Sequence, residues 1–237
     1  MHDLPDLTGW TIAFDLDGTL VDTAPDLIAA LNVVLVEQNM EPAPMSAVRQ
    51  LVGHGVRGLL TRAYQMAGLM ITEERIGELR PRFIEVYQAS IAVESRPFSG
   101  CLEALTDLKA RGARLAVCTN KPHGLSETLL AALDLTRHFD AIVGGDTLPV
   151  QKPDPAPLLE AIRRAGGDPA RAIMVGDASP DVGAARAAGL PCVIFSFGYN
   201  DRPAADLGGD LLIDSYGELT AAITGLAASC RATTESL

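Results

Sequence analysis

Two carboxylates, Asp15 and Asp17, stand where a short apolar run ends, and Gly18 follows them directly. The run, Trp10–Phe14, has the composition of a buried strand, and the glycine indicates that the backbone bends there. Ligands of open α/β sheets bind beyond the carboxyl ends of the strands. The two acids are therefore a candidate reaction centre, although an ordinary Asp-Gly turn would have the same local sequence.

Polar residues of a matching kind follow three later segments of the chain. They are Thr119-Asn120-Lys121, then Lys152-Pro153, then Gly176-Asp177 with a further acid at Asp181. Lysine is rare, since Lys109, Lys121 and Lys152 are the only three in the sequence. Two of those three stand beside strand ends or helix starts. A hydroxyl, an amide, lysines and acids placed in this way predict convergence on one crevice.

The elements that position these residues alternate between strand and helix. The predicted strands are Trp10–Phe14, Arg114–Cys118, Asp140–Val143, Ala172–Val175, Cys192–Phe195 and Leu211–Ile213. The predicted helices are Leu102–Arg111, Leu125–Leu135, Pro155–Ala165 and Asp181–Ala188. Strand, helix and strand in repetition predict a parallel sheet with right-handed crossovers.

One interval, residues 23–96, interrupts this alternation. Its apolar residues recur at helical spacing in three stretches, and no convincing strand is visible. The three stretches are Leu27–Leu35, Val56–Ala63 and Ile76–Tyr87. Polar, proline-bearing segments at both ends are typical of a two-strand hinge. We therefore predict an inserted all-helical cap at 23–96 and a core made of 1–22 and 97–237.

The composition of the chain argues against some classes of binding partner. The net charge is −11, with 19 basic against 30 acidic residues, which argues against nucleic acid or an anionic membrane. A phosphate site would need positive charge supplied locally, by a few cations or a metal. Four scattered cysteines and the lack of a signal-like or spanning segment favour a cytoplasmic protein. The sequence carries no indication of oligomeric state.

The motifs, taken in order, resemble those of the haloacid dehalogenase superfamily, in its phosphoglycolate phosphatase-like branch. The resemblance rests on Asp-Leu-Asp-Gly-Thr-Leu at Asp15–Leu20, Thr119-Asn120, Lys152-Pro153, and Gly176-Asp177 through Asp181. It spans nearly the whole chain, including a helical insertion just after the first motif. It implies an α/β fold with a Rossmann-like parallel sheet core and a helical cap.

The resemblance also implies roles for these residues. Asp15 is expected to be the nucleophile that forms an aspartyl phosphate, and Asp17 the general acid and then base. Phosphate contacts are expected from Gly18, Thr119, Asn120 and Lys152. The resemblance assigns Mg²⁺ to Asp15, the backbone carbonyl of Asp17 and Asp177, with Asp181 in support. Hard oxygen ligands suit that ion, which would offset the repulsion between the acids and the phosphate.

The fourth motif departs from the family pattern. Ala178 stands where relatives often carry a hydroxyl residue, and Pro180 where they often carry asparagine. Both carboxylates of the motif survive. We therefore expect altered surroundings of the metal site and not loss of activity.

The expected substrate is a small phosphate ester, with 2-phosphoglycolate as the leading hypothesis. His54 or Arg57, near a glycine-bearing break in the insertion, would meet a carboxylate or hydroxyl of the substrate. The alternatives are a sugar- or amino-sugar-phosphate phosphatase, a phosphomutase, and a non-catalytic phospho-ligand binding module. Asp17 argues against a dehalogenase, because a carbon–chlorine bond offers no leaving oxygen to protonate. The interval 23–96 contains no lysine, which argues against phosphonate hydrolysis.

Overall fold

A six-stranded parallel sheet lies at the centre of the fold. The computed structural model describes residues 6–44, 55–200 and 202–234. The strands of the described residues are β1 (Thr11–Phe14), β2 (Val21–Asp22), β3 (Arg96–Pro97), β4 (Arg114–Cys118), β5 (Ala141–Val143), β6 (Ala172–Gly176), β7 (Cys192–Phe195) and β8 (Leu211–Ile213). All of them except β2 and β3 belong to the six-stranded sheet. The order across the sheet is β5-β4-β1-β6-β7-β8, with parallel pairing throughout. The predicted parallel sheet is confirmed, and β1 lies near its middle.

The two faces of the sheet bury side chains of different size. Alternate residues of a strand point to opposite faces. Ile12 and Phe14 of β1 join one buried cluster, whereas Ala13 joins the other. All three are fully buried, so β1 is covered on both sides. A strand buried in this way holds the residues that follow it in a fixed position.

Helices cover both faces. They are α1 (Ala24–Glu37), α2 (Gly55–Met66), α3 (Glu73–Ala89), α4 (Cys101–Ala110), α5 (His123–Ala132), α6 (Ala156–Arg164), α7 (Ser179–Ala188) and α8 (Leu219–Thr234). Helices α6 and α7 pack on the face with the smaller side chains, while α4 and α8 pack against each other and belong to the larger cluster. None of the helices in the described ranges combines the length and apolar character needed to cross a bilayer.

The predicted insertion is helical in its described part. Helices α1, α2 and α3 lie between β2 and β3, and α3 packs against the other two. The strands β2 and β3 pair antiparallel, with Val21 opposite Pro97 and Asp22 opposite Arg96. The chain thus leaves and re-enters the sheet domain through a two-stranded ribbon. Most of the apolar residues that predicted these helices are buried, including Leu31, Leu60 and Phe83.

Candidate active site

The first motif leaves β1 and turns at once. The Asp15 amide still donates to the carbonyl of Val175, at 2.9 Å, so Asp15 continues the parallel ladder. Gly18 has a φ of +85°, and its amide donates to the carbonyl of Val21. A Cβ at Gly18 would lie 2.6 Å from Oδ2 of Asp177 and 2.7 Å from the ring of Tyr199. Glycine is therefore required both by the turn and by the close approach of Asp177.

Three carboxylates meet beyond the sheet. Asp15, Asp177 and Asp181 each offer an oxygen, and these oxygens lie within 4.8 Å of one another. Burial raises the pKa of Asp15 from 3.8 to about 6; Lys152 opposes that rise, and Asp181 adds to it. Burial, followed by the neighbouring Asp181 and Asp15, raises the pKa of Asp177 well above its usual range. The arrangement therefore costs free energy when all three acids are ionised without a bound cation.

Asp177 is held by groups from distant parts of the chain. The hydroxyl of Thr19 donates to its Oδ1 at 2.6 Å, and the amide of Tyr199 donates to its Oδ2 at 2.6 Å. The Tyr199 hydroxyl in turn donates to Asp22 at 2.6 Å and accepts from the amide of Ala24 at 2.8 Å. Tyr199 thus connects the acid cluster to the ribbon and the start of α1.

Lys152 is the cation of the acid cluster. Its Nζ lies 3.0 Å from Oδ1 of Asp15 and 2.6 Å from Oδ1 of Asp181, and it donates to the carbonyl of Cys118 at 2.7 Å. Its side chain is 1% exposed. Burial disfavours its charge, but Asp15 and Asp181 outweigh that effect and raise the pKa of Lys152. Lys152 therefore stays charged beside Asp15.

Both oxygens of Asp181 already accept hydrogen bonds within the protein. Its Oδ1 contacts Lys152, and its Oδ2 accepts from the amides of Asp177 and Ala178, each at 3.1 Å. These amides lie directly before α7, so the carboxylate of Asp181, in the first turn, caps the start of that helix. Such a carboxylate orients its neighbours, which fits the supporting role expected for it.

The second motif divides between two tasks. Thr119 is buried and borders the same cavity as Asp15. The Asn120 side chain instead binds the backbone of Lys152, donating to its carbonyl at 2.9 Å and accepting from its amide at 3.0 Å. The side chain of Asn120 therefore positions the backbone of Lys152, and the residue borders the cavity in which its phosphate contact is predicted.

The carboxylate of Asp17 has partners outside the acid cluster. Nζ of Lys121 lies 3.0 and 3.2 Å from its two oxygens, and the hydroxyl of Thr23 donates to Oδ1 at 2.8 Å. The predicted metal contact of Asp17 is through its backbone carbonyl, so the carboxylate is left for other chemistry. The same Lys121 Nζ donates to the hydroxyl of Tyr87, on α3, at 2.8 Å.

Residues 12–195 match the family model described as haloacid dehalogenase-like hydrolase. That span is most of the chain and includes all the motifs described above. The chain belongs to the haloacid dehalogenase-like hydrolase family.

Relatives of this hydrolase share both its sequence and its fold. A protein named phosphoglycolate phosphatase from Caulobacter vibrioides is 49% identical over 232 residues, 98% of each chain. One of the same name from Agrobacterium fabrum is 44% identical, over 89% of this chain and 90% of its own. A crystal structure described as a predicted phosphoglycolate phosphatase from Haemophilus somnus has a TM-score of 0.83 at 32% identity, covering 91% of this chain and 98% of its own.

A further solved structure has a named ligand. CbbY from Rhodobacter sphaeroides has a TM-score of 0.73 at 27% identity, covering 88% of this chain and 95% of its own. It was solved with phosphate, and as a mutant with xylulose-(1,5)bisphosphate. The likeness extends to the insertion as well as to the sheet, because the coverage exceeds the length of the core alone.

The cavity of this hydrolase lies between the sheet and the insertion. The motif residues form one side. The other side is apolar in its described part and consists of Leu27, Gly55, Val56, Leu59, Phe83 and Tyr87. Phe83 and Tyr87 are stacked, with ring centroids 6.1 Å apart. The insertion thus forms the wall that a leaving group would meet.

The two substrate contacts predicted on the insertion have different outcomes. Arg57 is a correction: its guanidinium binds Glu73, both side chains are exposed, and Arg57 does not border the cavity. Its position one residue after Val56 on a helix turns it outward, away from the wall that Val56 joins. His54 lies outside the described residues.

Sequence reasoning missed Lys121 and Tyr87 as a pair, although the scarcity of lysine had singled out Lys121.

The departures in the fourth motif leave Asp177 fully supported. Ala178 has no hydroxyl, but Thr19 and Tyr199 already bond to the two oxygens of Asp177. The side-chain amide of Asn200 also donates to the backbone carbonyl of Asp177. Support that the motif itself lacks thus comes from the first motif and from the loop after β7.

Proposed function

We propose that this hydrolase is a Mg²⁺-dependent phosphomonoester phosphatase that hydrolyses 2-phosphoglycolate to glycolate and phosphate. The observation that carries the proposal is the separation of two neighbouring carboxylates. Asp15 lies with Lys152 in the acid cluster, whereas Asp17 lies with Lys121 and Thr23. Two acids on one turn with different partners suit different roles. Relatives named phosphoglycolate phosphatase, at up to 49% identity, support the substrate.

In the proposed reaction Asp15 attacks phosphorus, and the phosphorus–oxygen bond to the alcohol breaks. Asp17 donates a proton to that departing oxygen. A water then attacks the aspartyl phosphate and gives its proton to Asp17, which restores both residues. Lys152 offsets negative charge on Asp15 and on the phosphate. The buried hydroxyl of Thr119 faces the same cavity, where it would bind a phosphate oxygen.

The acid cluster fits Mg²⁺ by its chemistry, because hard carboxylate oxygens are the ligands that this ion takes. Asp15 and Asp177 would hold the ion, together with the carbonyl of Asp17, and Asp181 would orient its neighbours. When bound, Mg²⁺ would neutralise phosphate charge in the transition state. The raised pKa values of Asp15 and Asp177 support a cation there, since they reflect the burial of both acids and, after it, the charge of the neighbouring carboxylates.

The metal proposal predicts how stability depends on pH. Asp15 has a pKa of about 6 in the folded chain against 3.8 as its ordinary value, so the folded state binds the proton more tightly. Its contribution to stability is greatest below pH 3.8 and is lost as pH rises through about 6. In EDTA, thermal unfolding should show the melting temperature falling over this interval. Saturating Mg²⁺ should remove most of that fall.

Two variants serve as controls for this prediction. Asp15→Asn should flatten the pH dependence in EDTA, whereas Asp140→Asn, at a partly exposed ion pair with Lys109, should leave it unchanged. If Mg²⁺ left the pH dependence of the wild type unaltered, the cluster would not be a site for this ion.

A substrate panel tests the proposed activity. With Mg²⁺, we expect kcat/KM for 2-phosphoglycolate to exceed that for hexose and amino-sugar phosphates. The second candidate is a sugar phosphate, favoured by the CbbY structure with a sugar bisphosphate. A preference for a sugar phosphate would replace phosphoglycolate with that substrate. Phosphate binding without turnover of any ester would identify a binding module instead of a phosphatase.

A further inference from the structure

We infer that Lys121 binds the carboxylate of the substrate, with Tyr87 as its positioning residue, and so selects an ester whose leaving group carries an acid beside the reacting oxygen. The inference rests on the proposed function, because it assumes that Asp17 serves the leaving oxygen. Substrate recognition is thus assigned to Lys121, the core residue that contacts Tyr87 of the insertion, and not to Arg57.

Charge is the first argument. Among the described residues that border the cavity, only Lys121 and Lys152 are cationic. Lys152 is occupied by Asp15, Asp181 and a backbone carbonyl at the phosphate end. A second anionic group on the substrate therefore finds its cation at Lys121.

Distance is the second argument. Asp17 must lie within hydrogen-bond reach of the leaving oxygen, and Lys121 Nζ lies 3.0 Å from the nearer oxygen of Asp17. The ammonium is then within about 6 Å of the leaving oxygen. In 2-phosphoglycolate the farther carboxylate oxygen lies roughly 3.5 Å from that oxygen by ordinary bond lengths. A charge-assisted hydrogen bond of roughly 2.8 Å completes the span.

The donors of Lys121 are also suited to the task. Its ammonium contacts both oxygens of Asp17 and the hydroxyl of Tyr87. When Asp17 turns one oxygen toward the leaving group, one N–H of Lys121 becomes free to bind the carboxylate. Tyr87 keeps hold of a second N–H, and its side chain is fully buried against Phe83 on α3. The lysine therefore keeps its place while it exchanges one partner.

The apolar lining of the cavity makes the charge of Lys121 important for binding a carboxylate. The lining of the cavity also includes Leu27, Leu59 and Phe83, whose side chains offer a carboxylate no hydrogen bond. A carboxylate that leaves water for such a wall without a cation would suffer a large desolvation penalty. With Lys121 beside it, that penalty is offset in a low-dielectric setting, where an ion pair is stronger than in water.

The test compares two nearly isosteric esters, 2-phosphoglycolate and 2-hydroxyethyl phosphate, in wild type and in Lys121→Met. Both esters need Asp15, Asp17 and Mg²⁺, and only one carries the carboxylate. We expect the ratio of kcat/KM values, phosphoglycolate over hydroxyethyl phosphate, to fall roughly 10- to 100-fold in the variant, as for loss of one charge-assisted hydrogen bond. Lys109→Met, at the partly exposed lysine paired with Asp140, is the matched control and should keep the wild-type ratio.

Tyr87→Phe provides a second variant, since it keeps the buried ring and removes the hydroxyl that holds Lys121. We expect a smaller fall in the same ratio, carried by KM for phosphoglycolate. An equal loss for both esters in both variants would show that Lys121 only holds Asp17 in place, and would overturn the inference. Circular dichroism and melting temperatures check that each variant is folded.

A binding measurement separates this inference from the proposed activity. The non-hydrolysable analogue 3-phosphonopropionate carries the carboxylate, and 3-hydroxypropylphosphonate does not. With Mg²⁺, calorimetry should show tighter binding of the first to wild type and loss of that difference in Lys121→Met. If wild type bound the two phosphonates equally, the inference would fail even if phosphatase activity were found. If wild type discriminated between them but turned over no ester, only the proposed function would fail.

Discussion

Replacing Asp15 with asparagine is expected to lower phosphatase turnover by about 10⁴-fold or more, the scale seen when a covalent nucleophile is removed. Asparagine has nearly the same shape, so the turn at Gly18 and the ladder contact with Val175 should remain. An amide oxygen is too weak a nucleophile to attack phosphorus. Steady-state assays of 2-phosphoglycolate with Mg²⁺ measure the loss, and the melting temperature reports whether the fold is kept.

Asp17→Asn distinguishes the nucleophile from its neighbour. With an aryl phosphate the leaving group needs no proton, so attack by Asp15 should still occur in this variant. The second step should be slow, because no base then activates the water. Rapid quenching should therefore trap phosphorylated protein that hydroxylamine cleaves, as an acyl phosphate requires. If the variant slowed aryl and alkyl esters equally and no phosphorylated protein accumulated, the division of roles would be wrong.

Strand positions were predictable because buried parallel strands have a composition of their own. The predicted bounds Arg114–Cys118, Cys192–Phe195 and Leu211–Ile213 agree with β4, β7 and β8. The ends of the helices were less predictable than the strands. The prediction Leu125–Leu135 overran α5, which ends at Ala132, because Asp134 adopts a φ of +56° and breaks the helix. Helix α8 was not predicted.

The order of motifs along the chain predicted the acid cluster, because parallel strands bring their carboxyl ends to one edge. The contacts that complete the site depend on tertiary packing instead. Tyr199 reaches Asp177 from the loop after β7, and Tyr87 reaches Lys121 from the insertion. Neither tyrosine stands in a motif, and spacing along the sequence carries no information about such encounters.

Asn120 shows that residue type and strand position do not predict every contact of a side chain. Its residue type suited a phosphate contact, and its place after β4 suited it as well. The structure uses the side chain to hold the Lys152 backbone at 2.9 and 3.0 Å. An amide can donate and accept at once, so it pairs well with a peptide group. Residue type and strand position thus predicted where Asn120 lies but not which partner it takes.

Lys152→Met should produce the second large effect, on both stability and activity. The lysine side chain is 1% exposed and lies between Asp15 and Asp181, so the variant leaves buried acids without their cation. Breaking a buried ion pair costs about 3–5 kcal/mol. In EDTA we therefore expect a marked fall in the free energy of unfolding, measured by denaturant titration. Loss of one charge stabilising the transition state should also lower kcat by about 10²–10³-fold.

Mg²⁺ provides the discriminating measurement. If Lys152 and a cation both neutralise the same acids, the ion should raise the melting temperature of Lys152→Met more than that of wild type, because more repulsion remains to be relieved. Lys109→Met removes a lysine whose ion pair is about one-third exposed on both sides, and exposed pairs contribute about 0–1 kcal/mol. It should therefore unfold like wild type with and without Mg²⁺. Equal Mg²⁺ responses in Lys152→Met and wild type would mean that the lysine and the metal act on separate groups. The carboxylate of Asp15 would then not be shared between them, and its proposed place as a metal ligand would be lost.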